Sequence, residues 1–153
     1  NLVSAETFGA TIEAFTYPKE FEPCDGYAEI APGAVVGQQN RATFGFSYRT
    51  KVGNDLNGDL GYKIHLIYGA LAAPSERAYA TVNESPEAMT MSWEVTTTPV
   101  AVAGHRPTAS ITLDSRTIAQ AKMTAIEDIL YGGEGATKPK LPLPAEIITL
   151  LAA

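Results

Sequence analysis

The sequence AMTMSWEVTT at residues 88–97 decides the fold class. Apolar and polar side chains alternate along it, and this period of two is typical of a half-buried β-strand. An amphipathic α-helix would instead repeat its apolar residues at spacings of three and four. One face of the predicted strand carries Met89, Met91, Trp93 and Val95, and the opposite face carries Thr90, Ser92, Glu94 and Thr96.

The same alternation recurs on both sides of this stretch, so the strand is one of a series. Clear alternation is present at residues 7–15, 42–51, 62–71 and 108–114, and a weaker pattern lies at 78–82. Residues 99–103 are expected to continue the 88–97 strand past a bend, because proline removes a ladder donor. Six or seven strands with this spacing predict a mainly β chain.

The apolar period changes after residue 117. Apolar residues then recur at spacings of three and four and form one helical stripe. Asp114, Ser115 and Thr117 offer N-cap oxygens, and Gly132 is expected to end the helix because glycine accepts the left-handed conformation. The stripe consists of Ile118, Ala121, Ala125, Ile126, Ile129 and Leu130. The chain is therefore predicted to be an antiparallel β-sandwich or barrel with one flanking α-helix at about 117–131.

A long irregular stretch separates the first two strands. Residues 16–41 contain three prolines and three glycines and show no firm periodicity. We expect a long loop here, with short extended pieces at 27–30 and 34–36. Loops of this length in compact domains are usually functional or mobile.

The length of 153 residues fits a single domain. Residues 134–144 form a proline-rich connector to a short apolar segment, 145–151, which fits either a final helical turn or an edge strand. The chain opens at Asn1 without the basic and apolar regions of a signal peptide. We expect that an N-terminal segment precedes the sequence given.

Composition excludes several classes of protein. The chain has 17 acidic and 11 basic residues and a formal charge of −6, which argues against binding nucleic acid through its phosphates. The longest apolar runs are far shorter than the roughly 20 residues of a membrane span. The one cysteine cannot form an internal disulfide or a four-thiolate zinc site.

The hairpin loop at residues 51–61 carries a weak calcium-like pattern. Asp55, Asn57 and Asp59 alternate as calcium ligands do. Leu60 and Leu66, however, occupy the places where that pattern requires a glycine and an acidic residue. A polar hairpin tip is the better interpretation.

No catalytic, cofactor or metal site is predicted. His65 and His105 are forty positions apart and have no neighbouring carboxylate pattern, so they form a poor metal site or general base. Cys24 lies among carboxylates, which would raise its pKa, and a structural thiol is expected. No nucleophile elbow, phosphate loop, dinucleotide fingerprint or zinc-protease helix motif is present. The chain is therefore not expected to be an enzyme.

Several short stretches, taken in order, resemble one protein family. They are IEAFTYP (12–18), GQQ (37–39), FGFSYRT (44–50), GND (53–55), GYKIHLIYGA (61–70), APSE (73–76), VNESPEA (82–88), SWEVTTTPV (92–100) and LYG (130–132). Their order and density resemble the major tail protein, the tail-tube subunit, of long-tailed, non-contractile phages and prophages of Gram-positive bacteria. The resemblance covers nearly the whole chain, although no single motif is diagnostic.

The resemblance implies a β-sandwich or barrel that closes into hexameric rings, which stack into a tube. Its implied partners are further copies of the chain, a tape-measure protein inside the tube and a tail terminator at its end. DNA would pass through without specific binding. The implied location is the virion, after synthesis in the host cytoplasm, and no membrane or cofactor is implied.

The loop at 51–61 is the predicted contact between copies. Two leucines among polar residues have little use in a tip that meets only water, so we expect the tip to dock on a neighbouring subunit. The candidate interface residues are Asp55, Leu56, Asn57, Asp59 and Leu60.

The acidic balance predicts an acidic lumen wall. A basic wall would bind DNA phosphates through counterion release, whereas an acidic wall repels the duplex and lets it slide. Glu13 and Glu94 are the candidate lumen residues because both lie on polar faces of predicted strands. The alternative is that they are ordinary solvated surface charges.

Two other classes of function remain open. One is a related phage part, such as a tail-terminator or neck protein or the tube protein of a contractile injection device. The other is a carbohydrate-binding β-sandwich, in which Tyr27, Tyr62 or Tyr79 serves as a stacking platform. Tyrosines that alternate with aliphatic residues on strands are more often core residues.

Overall fold

The structure, a computed structural model, describes residues 7–56, 58–74, 89–133 and 138–152. The chain is mainly β, with antiparallel pairing and two α-helices, so the mainly β prediction is confirmed. The strands are β1 (Gly9–Ala14), β2 (Ala28–Ala31), β3 (Ala34–Val36), β4 (Phe44–Val52), β5 (Gly61–Ala72), β6 (Met91–Thr97) and β7 (Ser110–Asp114). The helices are α1 (Gln120–Tyr131) and α2 (Pro144–Ala152).

The main sheet has the hydrogen-bonded order β1-β6-β5-β4, and β7 also pairs with β5. β1 pairs with β6 so that Ile12 lies opposite Trp93. β5 uses its last three residues to pair with β6, and the segment from Lys63 to Ile67 to pair with β7. The hairpin of β2 and β3 forms a separate two-stranded sheet.

The chain divides into two compact units. The first unit consists of residues 1–44 and 70–97, and the second of residues 45–69 and 98–153. β5 passes from the second unit to the first between Gly69 and Ala70. The prediction of one domain over residues 1–153 stays a prediction.

The core of the first unit is aromatic. Trp93 is buried and contacts Tyr17 and Phe21 edge to face, with ring centroids 5.7 and 5.3 Å apart. Phe21 makes the same kind of contact with Phe44 at 5.2 Å. Such ring pairs add about 0.5–1.5 kcal/mol each beyond the area that they bury. The side chains of Tyr17 and Phe21 are therefore packed against β6.

The core of the second unit lies between its strands and its helices. The even-numbered residues of β5 supply one side, as the alternation predicts. The buried members are Ile64, Leu66, Tyr68, Leu113, Met123, Ile126, Leu130 and Ile147. β5, β7, α1 and α2 therefore contribute to one apolar cluster.

The predicted N-cap of α1 is wrong. α1 begins at Gln120, and its N-cap residue, Ala119, makes no side-chain capping bond. Asp114 Oδ1 instead accepts the backbone N–H of Arg116 at 3.0 Å, and Ser115 Oγ accepts that of Tyr62 at 2.9 Å. These oxygens are used in the turn after β7, since short polar side chains readily bond to nearby backbone.

The buried face of α1 also differs from the predicted stripe. Its buried residues are Met123, Ile126 and Leu130, while Ile129 is half-buried and Ala121 is exposed. The buried residues still recur at spacings of three and four, but the centre of the buried face lies one residue position away from the centre of the predicted stripe. The predicted stripe includes two alanines, which are too small to fill the core. The long side chain of Met123, which the stripe leaves out, fills it instead.

The prediction of a single helix is wrong, because residues 144–152 form α2. Proline suits the first turn of a helix, where its missing N–H would have no intrahelical partner. The connector before α2 is also packed in the second unit. Leu141 contacts the core, and the Pro142 carbonyl accepts a hydrogen bond from the Tyr68 hydroxyl at 2.7 Å. Residues 134–137 of the predicted connector lie outside the described residues.

Residues 16–41 are more ordered than the predicted loop. They contain a short 3-10 helix, Lys19–Phe21, and the hairpin of β2 and β3, which matches the expected extended pieces closely. The weak strand predicted at 78–82 lies outside the described residues. The continuation expected at 99–103 is reduced to one bridge, between Val100 and Thr108.

Gly69 permits a close backbone approach inside β5. Its φ of +60° is one that side-chain-bearing residues rarely adopt, and a Cβ there would overlap the carbonyl oxygen of Thr98. The Gly69 carbonyl accepts the N–H of Thr98 at 2.9 Å.

Among the described helices, none has the length and apolar character that crossing a membrane requires.

Candidate functional site: loop tip, acidic sheet face and sheet edges

The loop between β4 and β5 presents an apolar tip to solvent. The Leu60 N–H donates to the Val52 carbonyl at 2.8 Å, which closes the base of the loop. Asn54 Oδ1 accepts the Leu56 N–H at 3.1 Å, an Asx-type turn that shapes the tip. The Leu56 side chain is 97 % exposed and Leu60 is 43 % exposed. Both leucines are therefore available to a partner, as a docking tip requires.

The polar candidates of this loop are only partly described. Asp55 and Asp59 are exposed, and Asn57 lies outside the described residues. In the part of the chain that the structure describes, no group of three or more His, Cys, Asp or Glu residues is arranged to hold a metal ion. The rejected calcium pattern gains no support from this geometry.

Glu13 and Glu94 lie on one exposed face of neighbouring strands. Glu13 pairs with Ser92 and Thr11 pairs with Glu94, so the two glutamates are diagonal neighbours across β1 and β6. Diagonal Cβ atoms in an antiparallel pair are about 7–8 Å apart. The alternation predicted that each is exposed, and the pairing register adds that they share a face.

The negative charge of the chain is concentrated in the first unit. That unit has ten acidic and three basic residues, a formal charge of −7. The second unit has seven acidic and eight basic residues, a formal charge of +1. The face with Glu13 and Glu94 therefore belongs to the acidic unit.

The two end strands of the main sheet differ in charge. Among the described strands, β1 pairs with β6 alone and β4 pairs with β5 alone, so each leaves one edge open. An open edge is a ready template for pairing with another chain. The one charged residue of β1 is Glu13, whereas β4 carries Arg49 and Lys51. The two edges thus have opposite charge.

A buried carboxylate anchors the 16–41 segment to the first unit. Asp25 is 4 % exposed, and its Oδ1 accepts the indole N–H of Trp93 at 2.8 Å and a guanidinium N–H of Arg41 at 3.3 Å. The same Arg41 nitrogen donates to the carbonyls of Ala72 and Ala73, at 3.1 and 3.3 Å. Sequence reasoning missed this cluster, because nothing in the local pattern of a Pro-Cys-Asp-Gly turn indicates a partner far along the chain.

Cys24 has the structural setting that was predicted, but for a different reason. The thiol is buried, and burial raises its pKa. Desolvation disfavours the thiolate. The neighbouring carboxylates named in the sequence argument are not the cause.

His65 is held by hydrogen bonds on the sheet of the second unit. Its Nε2 lies 2.9 Å from Thr50 Oγ1, and its Nδ1 lies 3.1 Å from Thr112 Oγ1. The Tyr48 ring stacks on the imidazole with centroids 4.5 Å apart. A threonine hydroxyl can donate or accept, so this arrangement suits a structural histidine.

Tyr62 does not offer an open ring for stacking. The Arg49 guanidinium lies 5.0 Å from its ring centroid, and the ring packs against the second core. Burial raises the pKa of its hydroxyl, and a hydrogen bond with Glu127 of α1 raises it further. Tyr79 lies outside the described residues, and Tyr27 is half-buried.

Comparison of the chain with known protein families, characterised proteins and solved structures finds no match.

Proposed function

We propose that this chain is a structural virion protein, the subunit of a phage tail tube, which assembles into stacked hexameric rings. The observation that carries the proposal is the pair of open sheet edges of opposite charge, on β1 and β4. The resemblance of the sequence to major tail proteins supplies the tube and the number six. The proposed finer fold is accordingly a tail-tube-like β-sandwich or barrel.

The edges support a head-to-tail contact between copies. If β1 of one copy meets β4 of the next, Glu13 approaches a strand that carries Arg49 and Lys51. Such a heterologous contact forms a ring when the rotation from one copy to the next closes after a whole number of copies, and otherwise it builds an open filament. Opposite charges on the two edges also disfavour pairing of two copies of the same edge.

The loop tip suits the contact between rings. Leu56 is almost fully exposed, and burying one leucine side chain contributes about 1.5–3 kcal/mol. Six copies of a ring would each contribute one tip, so a weak single contact would be multiplied around the axis. Asp55, Asn57 and Asp59 would form the polar rim of this contact.

The acidic face suits the inside of the tube. With Glu13 and Glu94 repeated in every copy, the wall would repel DNA phosphates and leave the duplex free to slide. Screening limits this repulsion to about 10 Å at ordinary salt, which still matters in a narrow channel. A tape-measure protein would occupy the channel before DNA, a tail terminator would cap the tube, and neither a cofactor nor a membrane is required.

Electron microscopy of the concentrated protein tests the proposal. A tube subunit should form long hollow polymers of constant diameter in negative stain, with six-fold symmetry in end views. A tail-terminator or neck protein should form isolated rings. A protein that stays monomeric at all concentrations and salt conditions would contradict both assignments.

The edge contact is tested by reversing the charge of one strand. Arg49→Glu with Lys51→Glu should prevent polymerisation, and adding Glu13→Lys should restore it in part. Arg106→Glu with Lys138→Glu, a matched reversal at exposed positions outside the sheet, should leave the polymers unchanged.

A further inference from the structure

An open cleft of about 400 Å³ lies in the first unit, between the turn at 19–23 and the segment at 39–40. None of its lining residues belongs to the loop tip, the glutamate face or the two sheet edges. Volumes of this size are typical of small-molecule sites. Its charged and amide groups are one amine, two carboxylates and two amides, from Lys19, Glu22, Glu29, Gln39 and Asn40.

The charges of the cleft favour a cationic ligand. Lys19 donates to Glu29 at 2.5 Å, and this hydrogen bond raises the pKa of the amine and lowers that of the carboxyl. Both groups therefore stay charged at neutral pH and neutralise each other. Glu22 adds a second carboxylate, so the lining has a net negative charge. The cleft, like the first unit around it, therefore attracts cations and repels anions.

The Glu22 carboxylate is an acceptor that the fold leaves unused. The residue is half-buried, and its side chain forms no hydrogen bond or ion pair with any residue that the structure describes. Its backbone is fixed, because the Glu22 carbonyl accepts the N–H groups of Asp25 and Tyr27 at 3.1 and 2.9 Å. A partly desolvated carboxylate gains a charge-assisted hydrogen bond when a donor enters the cleft. The turn therefore presents this carboxylate to a ligand from a rigid backbone.

The two amides of the cleft lie on a segment that is also fixed. The N–H groups of Gln39 and Ala42 donate to carbonyls of the turn at 23–26, at 2.9 and 3.0 Å. Gln39 donates its Nε2 to the Gly37 carbonyl at 3.0 Å, which leaves its Oε1 as an acceptor. The Asn40 side chain is exposed and has no hydrogen-bond partner in the part of the chain that the structure describes.

This combination of groups matches a primary ammonium on an aliphatic chain. An ammonium has three N–H donors and no acceptor, and the lining offers one unpaired carboxylate and two amide oxygens. Pro23 and Ala28 add an apolar part of the wall. The methylene stem of an amine can lie on such a surface while its charged end reaches the polar groups.

We infer that this cleft binds a primary ammonium group on an aliphatic chain, with Glu22 as its ion-pair partner and the amide oxygens of Gln39 and Asn40 as further acceptors. Such a group occurs in free amines and in the lysine residues of peptides. The inference does not rest on the proposed function, because the binding of a small amine can be measured whether or not the chain assembles.

Saturation-transfer NMR on the full chain, with irradiation of its aromatic protons, tests the inference. The probes are pentylamine, a free amine, and Nα-acetyl-lysine methylamide, a lysine residue in peptide form. At least one should bind, and the tighter of the two identifies the source of the ammonium. Pentyltrimethylammonium has the same charge and chain but no N–H donor, so it should bind at least about fivefold more weakly than pentylamine. Absence of binding by both amines, or equal binding of the trimethylated probe, would overturn the inference.

Matched variants assign the binding to the cleft. Glu22→Gln should weaken it about tenfold, because a neutral acceptor replaces a charged one. The fold should be kept, since this side chain has no described partner, and circular dichroism checks it. Asn40→Ala should weaken binding about threefold. Glu20→Gln removes the same charge at an exposed position of the same turn, outside the lining, and should change the affinity less than about twofold. Unchanged binding in Glu22→Gln, or an equal loss in Glu20→Gln, contradicts the assignment.

Discussion

Trp93 donates its indole N–H to the buried carboxylate of Asp25 at 2.8 Å, across 68 positions of sequence. This bond connects the central strand β6 with a turn of the irregular 16–41 segment. Because Arg41 donates to the same oxygen and to two backbone carbonyls, three separate parts of the first unit meet at one carboxylate. The predicted loop is thereby a fixed part of the core.

Removing the Asp25 carboxylate should destabilise the protein strongly. Asp25→Ala leaves the Trp93 N–H and one Arg41 N–H without their acceptor, and breaking a buried pair of this kind costs about 3 kcal/mol. Asp25→Asn keeps an acceptor oxygen and should lose less. Chemical denaturation followed by fluorescence measures both, and equal stabilities of Asp25→Ala and the wild type would show that the cluster is dispensable.

Deleting the loop tip should block assembly without unfolding the chain. Removal of residues 55–59 takes away Leu56, which contacts no core cluster of the described residues. Circular dichroism should therefore change little, whereas polymers should disappear in negative stain. Leu56→Ser should weaken polymerisation in the same direction, and Leu143→Ser, at an exposed leucine outside the loop, should not. Normal tubes from the deletion variant would exclude the tip as an interface.

A charge on the buried face of α1 should prevent folding. Ile126 is 0 % exposed, so Ile126→Asp would bury an unpaired carboxylate at a cost of several kcal/mol. Unfolded or aggregated protein is expected. Thr124→Asp places the same charge on the exposed face and should change the melting temperature by only a degree or two. Ile129→Asp, at a half-buried position, should fall between the two.

Reversing the acidic face should make tubes retain DNA. Glu13→Lys with Glu94→Lys changes the charge by +4 in every copy, and basic groups bind phosphates by releasing counterions. Because Glu13→Lys also weakens the proposed contact of β1 with β4, Glu94→Lys alone is measured beside the pair. Variants that form tubes in negative stain should bind DNA in a salt-dependent manner and reduce phage infectivity. Glu20→Lys with Asp128→Lys makes the same change at exposed sites outside the face. If neither pair retains DNA or slows its ejection, the acidic balance has no role in transport.

Alkaline pH should weaken the second unit through Tyr68. Burial raises the pKa of its hydroxyl to about 12. Unfolded tyrosine ionises near pH 10, so the stability due to the neutral hydroxyl is complete below about pH 10 and is lost as pH rises towards 12. Tyr68→Phe should lose about 1 kcal/mol at pH 8, with its hydrogen bond to Pro142, and should show a shallower decline above pH 10. Thermal unfolding from pH 8 to 12 measures both effects, and identical slopes would contradict the linkage.

Local periodicity explains which parts of the fold were predictable. The alternation at 91–97 and 9–14 predicts both strands. It also predicts that Trp93 lies on a buried face and that Glu13 and Glu94 lie on exposed faces, because one face of each strand is buried. The apolar segment at 145–151 was too short for its period to distinguish a helix from a strand, and its packing against the second core decides in favour of α2.

Long-range polar contacts explain the rest. Asp25 looks like an ordinary turn aspartate, and its partners at positions 41 and 93 become visible only when the chain is folded. The shared face of Glu13 and Glu94 follows from the register of β1 and β6, which one-strand periodicity does not determine.

The burial of Trp93 gives the protein a built-in optical reporter. It is the one tryptophan in the chain, it lies in the first unit, and its indole is bonded to Asp25. Its emission therefore follows the melting of the first unit alone, while far-ultraviolet ellipticity near 222 nm weights α1 and α2 of the second. A denaturation curve recorded with both signals distinguishes a single cooperative transition from successive melting, without any dye or label.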